Sequence, residues 1–470
     1  MGLTKIIATV GPASCSTSVL RSIIGEGVDV IRLNFSHGSH DDHEKMYKKV
    51  RDVASQTGKY IGIMQDISGP KIRIGEIKTS PLILDEGDEL IMTCDENADG
   101  SGNRVFVSCP GFSNEVKKGD RIFLADGLLE VEVKDSSNGE VKAEVIDGGE
   151  LTSKKGVNLP MTKLSLPSLT EKDKIDVEFG LRLGVDMMAL SFVRDPKDIE
   201  QFRDFMKKSG RIVPIIAKIE KPEAIEKIDA IIEIADGVMI ARGDLAIEIP
   251  LQKVPAIQKE IIKKARRAHR PVIVATQMLE SMIVEERPTR AEVTDVASAV
   301  FDGAGAVMLS GETAIGKHPQ KVVKLMEDII SEAEKTAYSP TGDLAIYNDF
   351  NVEFSVATSA VTMANTLNAK AVFALTLSGR SAELLSCQRP SLPIIAFSPS
   401  DDTLKKLSLY FGVYPVGVVF HDRFSDILKE CVRRAKEENF VRSGDYVIVT
   451  AGYPFEEKVQ TNLVHALMIP

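Results

Sequence analysis

Short apolar runs recur along the first two thirds of the chain, each ending in polar or charged residues. They read KIIATVG (5–11), VIRLNFS (30–36), IGIMQD (61–66), MMALSF (187–192), PIIAKIE (214–220), GVMIAR (237–242), PVIVAT (271–276) and GAVMLSG (305–311). Near-continuous apolarity over so few residues predicts strands buried on both faces, as in a parallel sheet. Between them, DPKDIEQFRDFMKKSG, KPEAIEKIDAIIEIA and VPAIQKEIIKKARRAH carry apolar residues at helical spacing. TRAEVTDVASAVF begins with Thr289 and has Glu292 three residues on, a capping-box signature. Eight strand–helix units predict an α/β fold built on a (β/α)8 TIM barrel. An open doubly wound sheet is the alternative, but no glycine-rich dinucleotide fingerprint follows the first run.

The pattern breaks once. Between Asp66 and Met187 no crossover helix is predicted; DELIMT, NRVFVS and DRIFLADGLLEVEVKDSSNGEVKAEVIDGG alternate with period two and carry hairpin turn signals. So long a connection implies a domain of its own. Inserted after the third strand, it projects from the C-terminal face of the barrel and can act as a lid. After a helix predicted over 319–338 comes the turn-rich YSPTGDLAIYNDFN, and then a further set of strands and helices. The expected division is barrel at 1–69 and 166–340, a small β-barrel lid at 70–165, and a C-terminal α/β regulatory domain at 341–470.

Composition narrows the partners. A net charge of −10 with no dense Lys/Arg tract argues against nucleic acid and anionic membranes. Small anionic ligands stay possible, because one positive site fits on an acidic protein. No apolar run has the length to span a bilayer, and MGLTKIIATVG leads straight into a strand rather than forming a signal peptide. Cys15, Cys94, Cys109, Cys387 and Cys431 lack metal-site or redox spacing, which predicts reduced thiols in a cytoplasmic protein.

Barrel chemistry gathers at the C-terminal ends of the strands. There the sequence delivers Arg32, Asn34 and Ser36; Asp66; Ser191; Lys218 and Glu220; Arg242 and Asp244; Thr276 and Gln277; and Ser310 and Glu312. Taken singly each has a bland explanation: a Lys–Glu ion pair, a turn Asp after Gly243, helix-capping hydroxyls, a rim arginine, His37 and His40 as exposed loop residues. Together they are ionisable groups converging on one mouth, where an unpaired buried charge is costly. Glu220 and Asp244 come from consecutive strands, and two carboxylates at one rim call for a cation such as Mg2+. Lys218 shares a strand face with Glu220. A lysine and a divalent cation at one anion suit phosphoryl transfer.

The motifs TKIIATVGPAS, RLNFSHG, DISGPKIRIG, SKKGVNLP, AKIEKPEAIEKID, ARGDLAIEIP, ATQMLESM, RPTRAEVTDVA and MLSGETAIGKHP resemble those of pyruvate kinases, in family order over most of the chain. The resemblance implies transfer of the phosphoryl group of phosphoenolpyruvate to ADP, giving pyruvate and ATP in glycolysis. It assigns Glu220 and Asp244 to Mg2+ or Mn2+. Arg32 and Lys218 fall on the transferring phosphoryl group, and the amides around Gly243 and Asp244, with Thr276, on the substrate carboxylate. Ser310 and Glu312 are placed in the proton relay. Pro12, His37, Arg73, Asp126 and Lys155 are placed at the nucleotide. Many members hold K+ with residues matching Asn34, Ser36, Asp66 and Ile67. Here Lys71 stands where the K+-dependent pattern has Glu, and with Ile67 and Ile74 it resembles the K+-independent branch. The LTLSGRSA loop, with Thr376, Ser378, Gly379, Arg380 and Ser381, resembles the family's site for phosphorylated effectors. The chain has no Trp, which some sugar-bisphosphate-responsive members place near that loop. Ala246 stands where Gly is common. A homotetramer is expected by the same resemblance. Two readings compete with an active kinase: a Mg2+-dependent lyase or aldolase using enolate chemistry, and a non-catalytic sensor of phosphometabolites.

Overall fold

Alternation within the apolar runs decides what faces the barrel axis. The structure, a computed structural model, describes residues 2–160, 162, 167–337, 351–421, 423–454 and 460–470. Parallel strands Lys5–Thr9, Val28–Asn34, Gly62–Asp66, Met187–Leu190, Ile215–Ile219, Gly237–Ala241, Val272–Ala275 and Ala306–Leu309 form a closed barrel. The first strand pairs with the last, Lys5 opposite Ala306, so the sheet has no edge. Ile7, Val30, Met64, Ile216, Met239 and Ile273 pack together inside it. Their chain neighbours, such as Ile6, Ile31, Ile215 and Val272, belong to the cluster under the helices. Both parities are therefore apolar, which is why the runs read as nearly continuous.

The insertion is an antiparallel-rich β-domain. Val157–Asn158, Arg121–Leu124, Leu129–Ser137, Glu140–Asp147, Glu89–Thr93 and Arg104–Phe106 lie in that order in one sheet. Arg73 bridges to Gly156 beside one edge and Ile74 to Val107 beside the other, so the segment from strand three closes the sheet on itself. Where a small β-barrel is expected, the structure has a six-stranded sheet with isolated bridges beside its two edges.

One expectation fails. A crossover helix does precede the fourth barrel strand: Glu171–Leu183, capped by a reciprocal Thr170–Asp173 box. Its apolar stripe is interrupted because its buried face includes two carboxylates. Asp173 accepts the Gly69 amide (3.0 Å) and Asp176 meets His40 Nε2 (2.7 Å). Gly69 has φ +67, and a Cβ there would lie 2.9 Å from the Phe192 ring, so glycine is required where the chain leaves the barrel for the lid.

The C-terminal unit is a sheet in the order Val413–Gly417, Ile394–Ser398, Ala371–Leu375, Tyr446–Ala451 and Leu463–Met468, the last strand antiparallel. It plugs the N-terminal end of the barrel: Leu409 joins the interior cluster and Ser408 Oγ accepts the Gly62 amide (3.0 Å). The junctions expected at 165/166 and 340/341, and all of YSPTGDLAIYNDFN except Asn351, lie outside the described residues.

All five cysteines are free, and only Cys15 is exposed. Burial pushes the Cys109 thiol up to about 11 and that of Cys387 to about 12. Since the thiolate is the reactive form, an aromatic disulfide reagent is expected to titrate Cys15 quickly in the native protein and the buried Cys109 and Cys431 only after unfolding. Rapid native labelling of either buried thiol would contradict the burial described.

Candidate active site

The parity that fills the barrel with Ile216 carries on past the apolar layers. Two residues further on it places Lys218 at the mouth, and two beyond that Glu220. The same parity runs from Ile7 to Thr9, from Val30 to Arg32, from Met64 to Asp66 and from Met308 to Ser310. These side chains meet. Lys218 Nζ lies 3.2 Å from Asp66 Oδ1, 2.8 Å from Ser191 Oγ and 2.9 Å from Glu220 Oε1. Arg32 Nε donates to the other Asp66 oxygen (2.7 Å), and its Nη1 to Thr9 Oγ1 (3.0 Å). The backbone amide of Phe192 fixes Glu220 Oε2 (2.8 Å).

These groups are buried, and their mutual pairing sets their charge. Burial opposes ionisation of Asp66, but Lys218 and Arg32 together outweigh it and hold its carboxyl below the usual range. Burial likewise opposes charge on Lys218, and Asp66 and Glu220 overcome it, so the ammonium holds its proton more tightly than usual. Glu220 moves the other way: burial pushes it up, Lys218 works against that, and Asp244 adds repulsion. The network is an ionised triad with one carboxylate under strain at its edge.

That strain bears on metal binding. Glu220 Oε1 is buried and accepts no hydrogen bond, although Lys218 is within ion-pair distance. Asp244, a quarter exposed, faces the same mouth and pairs with Lys71 (3.1 Å). Two carboxylates with oxygen donors only suit a hard cation whose remaining ligands are substrate and water. Among the described residues no cluster of three His, Cys, Asp or Glu could bind a metal unaided.

Thr276 sits at φ +70 and Gln277 at φ +54. A left-handed, β-branched residue is a strained position of the kind found at functional sites. Thr276 Oγ1 accepts the Gly243 amide (2.7 Å) and donates to the Ala275 carbonyl (2.6 Å). Gly243 has no positive φ, and a Cβ there would only touch Thr276 at 3.4 Å. Its missing side chain leaves room before that hydroxyl rather than relieving the backbone. Ser310 Oγ is buried with no hydrogen-bond partner. Glu312 is turned inward, accepting the amides of Ser310 (2.7 Å) and Leu279 (3.2 Å), so it shapes the loop that presents Ser310.

Arg242 does not reach the mouth. It opens the helix Arg242–Glu248, where strand alternation stops, and its side chain turns to Asp295 (2.7 Å) and the Thr276 carbonyl (2.9 Å). Its role is to hold strand six to strand seven and the helix Arg290–Asp302. Lys71 joins Asp244 rather than the group formed by Asn34, Ser36, Asp66 and Ile67. In that group the Asn34 side-chain oxygen accepts the Ser36 amide (3.2 Å) and the Ile67 carbonyl accepts Ser191 Oγ (2.7 Å).

On the lid side, Arg73 donates to the Lys154 carbonyl (3.3 Å). His37 is exposed, and partial burial of its ring, with the charges of Arg73, Arg32 and Lys71, lowers its pKa. Pro12 opens a 3-10 turn, and Asp126 and Lys155 are exposed on the lid. The effector-like loop is closed on itself. Thr376 Oγ1 accepts the Gly379 amide (2.9 Å), Ser378 Oγ the Arg380 amide (3.4 Å), and Ser381 bonds Thr461 (2.6 Å). Arg380 lies between Glu353 (3.5 Å) and Glu383 (3.6 Å). Sequence reasoning missed Thr9 and the Phe192 amide as supports of Arg32 and Glu220, and counting parity from Ile7 would have found Thr9.

The pyruvate kinase barrel-domain model matches residues 1–323 and the pyruvate kinase alpha/beta-domain model residues 355–467. A pyruvate kinase of Staphylococcus haemolyticus is 42% identical over 469 residues, covering 99% of this chain and 80% of its own length. One from Corynebacterium glutamicum is 41% identical over 466 residues, covering 99% and 97%. The crystal structure of a pyruvate kinase from Cryptosporidium parvum superposes with a TM-score of 0.93 at 36% identity, covering 99% and 96%. A closed (β/α)8 barrel with a lid over a charged mouth, matched throughout to such relatives, defines a barrel phosphotransferase. The chain belongs to the pyruvate kinase family. That family's substrates are phosphoenolpyruvate and ADP, and its chemistry requires a divalent cation. No helix among the described residues is long and apolar enough to cross a membrane.

Proposed function

We propose that the chain transfers the phosphoryl group of phosphoenolpyruvate to ADP in the cytoplasm, with Mg2+ or Mn2+ held by Glu220 and Asp244 and without a need for K+. The observation that carries this reading is the buried contact set of Lys218 with Asp66, Ser191 and Glu220 at the barrel mouth. The bond between phosphorus and the enol oxygen breaks, a bond from phosphorus to a terminal ADP oxygen forms, and the enolate carbon takes a proton. Arg32 and Lys218, preordered by Asp66, hold the phosphoryl oxygens as charge redistributes. The divalent cation, when bound, adds charge neutralisation on those oxygens. Thr276 and the Gly243–Asp244 amides receive the substrate carboxylate. Ser310, presented by Glu312, lies in the proton path. Pro12, His37, Arg73, Asp126 and Lys155 meet the nucleotide, the last two arriving with the lid, whose closure excludes competing water.

Independence of K+ is supported by charge balance. Asp66 is already matched by Arg32 and Lys218, and the Lys71 ammonium, paired with Asp244, lies at the same mouth. Turnover in tetramethylammonium buffer is expected to equal that in K+ buffer, and a strict K+ requirement would reject the proposal. The same reading includes a homotetramer, the barrel, lid and C-terminal domain limits drawn from the sequence, and a phosphorylated effector at Thr376–Ser381. Pyruvate release from phosphoenolpyruvate, followed with and without ADP, tests the central claim. Release that ignores ADP would mean transfer to water rather than to a nucleotide, and a chain that releases no pyruvate from phosphoenolpyruvate with or without ADP points to a lyase or aldolase instead.

A further inference from the structure

The lid is joined to the barrel by two passes of chain, and both are gripped by one short helix. Asp244 and Glu248 are four residues apart in Arg242–Glu248 and so share a face. Asp244 holds Lys71 on the outgoing pass. Glu248 Oε1 accepts Asn158 Nδ2 (3.0 Å) on the returning pass, and Lys221 Nζ (2.7 Å) from the end of strand five. Asn158 belongs to the lid sheet, where Val157–Asn158 pairs with Arg121–Leu124. The two passes are tied together by the Val157 amide on the Ile72 carbonyl (3.0 Å).

The two grips differ in kind. The Lys71–Asp244 pair is about a quarter exposed on each side, whereas Glu248 is 4% and Asn158 5% exposed. A charged hydrogen bond made in a buried setting is the stronger and less screened of the two. Beyond the Glu248 grip lies a cavity of about 700 Å³, with lid residues Phe123 and Asp126 on one side and Ile247 and Leu251 of the rim on the other. One buried tether beside open space is the layout of a pivot.

We propose that Glu248 is the anchor of the lid: a positioning residue that, through Asn158, sets the closed pose in which Asp126 and Lys155 meet the nucleotide. The inference rests on the reading that the lid closes over a phosphoenolpyruvate–ADP site. Lys221 neutralises Glu248 from the barrel side, so the anchor holds whether or not the metal carboxylates are occupied.

The test is made on the full chain. Asn158→Ala removes the lid half of the contact and leaves the Glu248–Lys221 pair in place. It is expected to raise KM for ADP about tenfold, the value of one hydrogen bond to a charged group, with little change in kcat. Mn2+ affinity, read by electron paramagnetic resonance, should be unchanged. Hydrogen exchange at the Val157 and Ile74 amides should quicken. Glu248→Gln keeps an oxygen for Asn158 but loses the charge that strengthens the bond and pairs Lys221, so its KM for ADP should rise less than that of Asn158→Ala. The nearly isosteric Asn158→Asp sets two carboxylates against each other and should raise KM at least as far, even if the alanine variant does not fold. A wild-type KM for ADP in Asn158→Asp, or a Glu248→Gln enzyme as impaired as Asn158→Ala, overturns the anchor. A wild-type chain with no transfer from phosphoenolpyruvate to ADP overturns the functional reading instead, and faster exchange in Asn158→Asp then decides the anchor alone.

Discussion

Replacing Lys218 with Met is expected to lower kcat by about 10²–10³-fold, the loss typical of one preorganised charge-stabilising donor. The ammonium sits where Asp66, Ser191 and Glu220 converge, so its position is set before substrate arrives and costs little reorganisation during transfer. Its raised pKa keeps it charged throughout the neutral range, so no limb of the pH–rate profile near neutrality should belong to it. A purely structural ion pair predicts the opposite pattern. Removing one member of a buried pair then costs about 3–5 kcal/mol of stability, with turnover preserved in whatever fraction stays folded. Steady-state kinetics on variant shown folded by circular dichroism separates the two. Near-normal kcat with a depressed melting temperature would remove Lys218 from the chemistry.

Glu220→Gln should have the second largest effect, and it should appear first in metal binding. The amide side chain can still accept from the Phe192 amide, so the geometry of the loop survives. What disappears is the charge of the oxygen that has no hydrogen bond in the free protein. Outer partners of metal ligands are each worth about 10–100-fold in affinity, so loss of a ligand's own charge should weaken Mn2+ binding by at least about 100-fold. Activity should return in part at high Mn2+ concentration. Lys218 would retain Asp66 as its counter-ion, so stability should change little. Unaltered Mn2+ affinity would place the cation elsewhere.

Much of the candidate site could be read along the chain because its grammar is local. A strand alternates, so Lys218 and Glu220 had to share a face, and the ends of barrel strands had to converge. Arg242 shows where that reasoning slipped. Proximity in sequence to Asp244 suggested a common direction, but the strand ends at Ala241, and in the helix Arg242–Glu248 residues two apart diverge, so Arg242 turns onto Asp295. The helix Glu171–Leu183 was hidden for a related reason. A buried face normally betrays itself by apolar periodicity, but Asp173 and Asp176 are buried to cap Gly69 and to meet His40. Lys71 was read toward Asn34, Ser36 and Asp66, whereas its ammonium lies on Asp244. A lysine stem is long and flexible, and spacing along the chain does not say which carboxylate it reaches.

The amino-acid order alone determined the eight nearly continuous apolar runs, the inserted alternating segment and the types of charge brought to the mouth, because backbone periodicity depends only on near neighbours. Tertiary structure alone decided which charges neutralise one another: that Asp66 serves both Arg32 and Lys218, that Lys218 also pairs with Glu220, and that Glu248 reaches Asn158. Such pairings join residues far apart in the chain. They are settled by burial, which makes an unmatched charge expensive only once the whole barrel has closed around it.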